Sequence, residues 1–146
     1  MNYRKWLIED LQNLDRCKFS ITQMTEELQT LEAEFAAIKA TNYDKMPGGS
    51  GDNVQEEKLL TAIAKRDELK ANLKFTKRRV ADMERLLTKL PAEERRVIER
   101  MFVHREKYAG DNLAEELDCD TTTVYRIKNR ALTHLAQMRH GFGYQT

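Results

Sequence analysis

Asn112-Leu-Ala-Glu-Glu-Leu117, then Asp118-Cys119-Asp120, then Thr121-Thr-Thr-Val-Tyr-Arg-Ile-Lys-Asn-Arg-Ala-Leu132 is the stretch on which the fold turns. It has the pattern of a short supporting helix, a three-residue turn and a longer basic helix, the order of a helix-turn-helix unit. Asp120 stands where an N-cap belongs, because its carboxylate can accept from the free amides of the Thr121-Thr122-Thr123 turn. Leu113, Ala114 and Leu117 supply an apolar inner face, with the small Ala114 where two helices must cross closely.

Along the second helix Val124, Ile127, Ala131, Leu132 and Leu135 share one side, so Thr121, Thr122, Tyr125, Arg126, Asn129 and Arg130 face elsewhere. Residues 121 to 140 hold Arg126, Lys128, Arg130 and Arg139 with His134 and His140, and no acid. Such a face suits double-stranded DNA. The hydroxyls and methyls of Thr121, Thr122 and Thr123 can contact phosphates or thymine, Arg126 can take guanine with two hydrogen bonds, Lys128 and Arg130 are placed for backbone charge, and Tyr125 and Asn129 belong to the same DNA-facing set. The bland alternative is a polar surface helix; cap, turn length, small residue and cationic face together favour DNA.

Upstream of this unit, Leu90-Pro91 marks a helix restart, since proline suits a first helical turn and disfavours helix in the residue before it. Val97, Ile98, Met101 and Phe102 then form one buried stripe that ends near Tyr108 and Gly110. Glu93, Glu94, Glu115 and Glu116 are expected on exposed faces. No nucleophile-base set carries a local signature, so no catalytic residue and no enzymatic activity is expected.

Further upstream the pattern changes. From Trp6 to Ile38 apolar residues fall every seven: Leu7, Leu14, Ile21, Leu28 and Phe35, with Cys17, Met24, Leu31 and Ile38 three residues after. Leu59, Leu73, Val80 and Leu87, with Ala62, Leu69, Met83 and Leu90, repeat it, interrupted by Arg66 and Thr76. Between them Met46-Pro-Gly-Gly-Ser-Gly-Asp52 cannot continue a helix. It lacks the trailing Gly-Lys-Ser/Thr and the preceding strand of a phosphate loop, and a reversal explains it.

The expected fold is therefore all-α: a long antiparallel helical hairpin, or coiled coil, over residues 1–90 with its loop at 41–53, then a helix-turn-helix domain over 91–146. Each hairpin helix, some 35 residues at about 1.5 Å each, would be on the order of 50 Å long and would leave much apolar surface wet. Off-seam Trp6, Leu11, Leu60, Ile63, Phe75 and Leu86 could dock the second domain or bury a dimer face. A homo-oligomer, first of all a dimer, is expected.

Composition agrees with helices: 146 residues, 40% hydrophobic and 34% charged, with only six Gly and two Pro. The net charge of +1 hides an asymmetry. Residues 1–40 carry five Lys/Arg against seven Asp/Glu, whereas residues 53–90 carry ten against six. Lys70, Lys74, Lys77, Arg78 and Arg79 read first as a solvated face, with DNA backbone or an acidic protein as the alternative. Cys17 and Cys119 are unpaired by spacing and the chain has only three His, so no metal, disulfide or cofactor is implied. The start, Met1-Asn-Tyr-Arg-Lys-Trp-Leu-Ile-Glu-Asp10, meets charge before an apolar run of signal length develops, and no stretch approaches the roughly 20 apolar residues of a membrane span, so no membrane partner and a cytoplasmic location are expected.

Leu90-Pro-Ala-Glu-Glu-Arg-Arg-Val-Ile-Glu-Arg-Met-Phe102, Leu113-Ala-Glu-Glu-Leu117, Thr122-Thr-Val-Tyr-Arg-Ile127 and Arg130-Ala-Leu-Thr-His-Leu135 resemble the C-terminal domain of bacterial sigma factors, which reads the minus-35 promoter element. Gly110 stands where that pattern commonly has a larger residue, and Tyr125 and Arg126 where it often has Arg and Gln, so no promoter sequence carries over. With long helices in front, the chain looks like the small ArpU-like regulators of phages and prophages. That resemblance implies a sequence-specific transcription regulator of late genes, an activator first of all, with RNA polymerase as a further candidate partner. Two other functions stay open: a phage DNA-packaging subunit of the small-terminase kind, and a polymerase-binding factor that never touches DNA.

Overall fold

The computed structural model describes residues 2–43 and 52–142, with side chains for 2–40 and 56–142. It is all-α, as expected. Among the described residues, six α-helices are α1 (Tyr3–Gln12), α2 (Leu14–Tyr43), α3 (Asp52–Lys89), α4 (Ala92–Ile98), α5 (Ala109–Glu116) and α6 (Thr121–His140), and a π-helical turn, Glu99–Val103, continues α4. Of the loop expected at 41–53, residues 41–43 are helical as the end of α2 and 52–53 as the start of α3, and residues 44–51 lie outside the described residues. No helix among the described residues is long and apolar enough to cross a membrane.

Two compact units emerge, Phe19–Arg78 and a unit made of Met1–Lys18 with Arg79–Thr146. In Phe19–Arg78, α2 and α3 pair along the expected seam: Ile21, Met24, Leu28, Leu31, Phe35 and Ile38 on one helix, and Leu59, Ala62, Leu69 and Leu73 on the other, are buried or half-buried. Lys65 reaches Glu27 at 3.1 Å across the pair. Arg66 interrupts the apolar row, and its guanidinium lies over the Phe35 ring at 5.1 Å, where the ring face offers a cation some compensation for lost water. Its Nε makes no hydrogen bond and lies 3.5 Å from Asp67. A charged group in the seam fixes register at some cost to stability.

The other unit is built around α6. The boundary expected at Leu90-Pro91 does separate α3 from α4, with Pro91 as the N-cap of α4. The packing divides elsewhere, because the first eighteen residues and the end of α3 belong with the helix-turn-helix. The cause lies in α1. Its Leu7 and Leu11, spaced i, i+4, are fully buried, and α1 packs on α6 and on the π-helical turn. Each such leucine is worth about 1.5–3 kcal/mol of burial. Asn2 caps α1 by accepting from the Lys5 amide at 3.0 Å. The helix expected to run unbroken from Trp6 is interrupted at Asn13, although Asn13 still donates to the Glu9 carbonyl and accepts from the Cys17 amide. Asp10 then fastens the unit, taking Arg79 on one carboxylate oxygen and Arg139 on the other, each at 2.5 Å.

Candidate nucleic-acid interface

Val97 of α4, Leu113 and Ala114 of α5, and Val124 and Ile127 of α6 form one buried cluster, with Met101, Leu117 and Cys119 packed against it. This cluster sets the angle between α5 and α6. Between those helices the chain closes α5 with a Schellman arrangement: Cys119 donates to the Ala114 carbonyl at 2.9 Å and Asp118 to Glu115 at 3.3 Å. Asp118 takes the left-handed conformation, φ +53°, that the motif demands and that glycine usually supplies. The Cys119 thiol is pushed above its ordinary pKa by burial and then by neighbouring carboxylates, so it serves as an apolar filler.

Asp120 then starts α6 as expected. Its Oδ1 accepts from the Thr123 amide at 2.8 Å and from the Thr123 hydroxyl at 2.6 Å. These bonds hold the Asp120 carboxyl below its ordinary pKa, the hydroxyl contributing most. At the other end of the support, α5 begins at Ala109, three residues earlier than the sequence pattern suggested, after Tyr108 with φ +62°.

Of the eight sequence-derived residues, six are exposed and two half-buried. Thr121, Thr122, Tyr125, Arg126 and Asn129 are exposed, and Thr122, Arg126 and Asn129 follow one another at helical spacing along one face. Thr123 is half-buried and its hydroxyl is spent on the cap. Arg130 is exposed too, and donates through Nε to Glu94 Oε1 at 2.8 Å while lying 4.0 Å from Glu93. Lys128 lies on a flank, half-buried, with its ammonium 4.9 Å from the Tyr125 ring centre. Tyr125 in turn lies over Gly110 of α5, where an added Cβ would meet its hydroxyl at 3.4 Å.

Glu94 corrects an expectation. It was placed on an exposed face, yet its side chain is only 3% exposed and clamps α4 to α6. Besides Arg130, it lies 2.8 Å from His134 Nδ1, and an ionised carboxylate only accepts, so that ring nitrogen carries the proton. The signal was present: Glu94, Val97, Ile98 and Met101 follow i, i+3, i+4, i+7, which puts Glu94 in the buried stripe. Glu93 and Glu115 are exposed as expected. Glu116 is exposed but pairs with Arg100, which also grips Glu106 through two bonds of 3.0 and 2.7 Å. These bonds raise the Arg100 pKa and lower that of Glu106, and they tie the 104–108 connection to the π-helical turn.

One residue of the surface was missed altogether. Arg4 of α1 donates to Asn129 Oδ1 at 2.5 Å, bringing a cation from the first helix onto the outward side of α6. The i, i+4 pair Leu7 and Leu11 was its only trace in the sequence, since it puts α1 against something other than the seam.

Residues 36–136 match the family described as "Protein of unknown function (DUF1492)", more than half of the chain, and the protein belongs to that family. Comparison with curated proteins and with solved structures returns no match.

Proposed function

We propose that this protein is a sequence-specific, double-stranded DNA-binding transcription regulator of the ArpU-like phage and prophage kind, acting on late genes as an activator. One observation carries the reading: a helix with a fixed, capped start, packed on a supporting helix at a Schellman turn, presents Thr122, Arg126 and Asn129 on an exposed face without an acid. A major groove about 12 Å wide admits such a helix, and residues at this spacing meet successive base edges. Arg126 is the base-reading cation. Thr121 and Thr122 serve the phosphates near the helix start, and Arg130 chiefly holds α6 against α4. The hairpin presents more than one reader by self-association, for which exposed Phe19, Leu60 and Phe75 supply apolar surface.

Selection of bound sequences from a random duplex pool tests the reading. A defined site should emerge, and Arg126→Ala should cost about 1–3 kcal/mol on it and little on random duplex. Equal losses on both would refute base reading by Arg126. A site that maps to a packaging origin would point to a terminase-like role, and tight polymerase binding without salt-sensitive DNA affinity to an interaction factor.

A further inference from the structure

We infer that Arg4 belongs to the DNA-reading surface: it orients the Asn129 amide, biases that residue toward guanine, and meets a backbone phosphate together with Lys128. The inference rests on the proposed reading of α6 and adds to it an element from the opposite end of the chain. A guanidinium only donates, so the amide atom that faces Arg4 at 2.5 Å must be the oxygen, and Asn129 turns its NH2 away from the contact. An asparagine reading adenine uses Oδ1 to accept from N6 and Nδ2 to donate to N7. Here one lone pair of Oδ1 is spent and a cation stands beside it. The adenine N6 donor would face that cation, whereas guanine offers two acceptors, O6 and N7, to the free NH2 and the neighbouring guanidinium.

Charge supports the phosphate contact. Arg4 contacts Asn129, whose chain neighbour Lys128 is half-buried on the same flank, and the Lys128 pKa is lowered first by desolvation and then by Arg4. Two like charges held together by α1 and α6 packing repel each other in the free protein, and an anion between them relieves that repulsion. Arg4 reaches α6 from α1 beside Asn129 and Lys128, so the rest of its guanidinium is free of the α6 core and can meet a phosphate next to the base that Asn129 reads.

The test uses the full chain. Wild type, Asn129→Ala and Arg4→Met, which keeps the aliphatic stem, are each put through selection from a random duplex pool, and folding is checked by circular dichroism. Asn129→Ala identifies the base pair that residue reads. Wild type should prefer guanine there, and Arg4→Met should lose that preference by about tenfold or more, turning toward adenine. On the selected site the slope of log affinity against log salt should fall by about one in Arg4→Met. If Arg4→Met does not fold, Arg4→Lys replaces it; it should keep the salt slope and lose the guanine preference. Base preference retained in the Arg4 variant, or a salt slope unchanged in Arg4→Met, would overturn the inference. A wild-type protein that selects no sequence would bring down the DNA reading itself, a distinct outcome.

Discussion

Glu94→Ala should destabilise the protein by about 2 kcal/mol, a figure that follows from its surroundings. The carboxylate is 3% exposed and has partners at 2.8 Å on both oxygens, Arg130 and His134. Hydrogen bonds to charged groups contribute about 1.5–3 kcal/mol each, which would suggest a total above 3. Two features lower it. The Arg130 and His134 side chains are 53% and 43% exposed, so water can take over once Glu94 is gone and neither is left as a buried orphan, the situation that costs about 3–5 kcal/mol. Removing Glu94 also relieves the desolvation of a buried carboxylate. About 2 kcal/mol is close to a thirtyfold change in the folding equilibrium. Glu94→Gln keeps an oxygen for Arg130 but loses the charge at both contacts, and about half the loss is expected. Urea unfolding followed by far-UV circular dichroism at neutral pH measures both, and a double-mutant cycle with Arg130→Ala should return a coupling of about 0.5–3 kcal/mol. A loss below about 0.5 kcal/mol for Glu94→Ala, or strict additivity with Arg130→Ala, would refute the view that this residue locks α6 to α4.

Acid should loosen the helix-turn-helix through Asp120. Its pKa is lowered on folding, so its contribution is complete above the unfolded carboxylate value of about 3.9 and is lost as pH falls through the lower folded value. Asp120→Asn, an N-cap of similar quality, should leave stability near neutral pH almost unchanged and flatten the acid slope of urea midpoints; an undiminished slope would show that the cap does not contribute to it. For the hairpin, the full chain should sediment as a dimer or larger species, and a joint Phe19→Ser, Phe75→Ser variant should shift toward one chain per particle while keeping its helicity. Sedimentation of wild type as a single chain at tens of micromolar would exclude self-association through this face. The full chain is required, because a cut at Leu90 would strip α1 of the α6 surface that covers Leu7 and Leu11.

Much of the fold was legible because helix period is a local property. The seam of α2 and α3, the start of α6 at Asp120 and the inner residues Leu113, Ala114, Val124 and Ile127 all follow from spacing and capping chemistry. What escaped depends on which helix lies against which. Leu7 and Leu14 both fit the sevenfold beat, so nothing on that line showed that the chain breaks at Asn13 and that Leu7 is buried in the unit built around α6. Thr123 and Arg130 read as DNA ligands when only their place on α6 is known. The cap takes the Thr123 hydroxyl and α4 brings Glu94 to Arg130, and that crossing is tertiary. Glu94 is different: the period placed it correctly, and the ordinary expectation that glutamate stays in water prevailed over the period.

Gly110 and Tyr125 are coupled through space. Gly110 of α5 has no Cβ, and the Tyr125 hydroxyl lies 3.4 Å from where one would stand, with the ring carbon that bears it at 3.7 Å. Alanine would make an ordinary contact there, and a longer side chain directed along that bond would crowd the Tyr125 ring. Lys128 depends on the same arrangement, since its ammonium lies over the Tyr125 ring, and Lys128 in turn shares its field with Arg4. The space over Gly110 is thus taken up by Tyr125, and through Tyr125 it is linked to the flank where α1 meets α6. Matching residues of α6 alone therefore does not define this surface, because the support beneath α6 helps set where those residues lie.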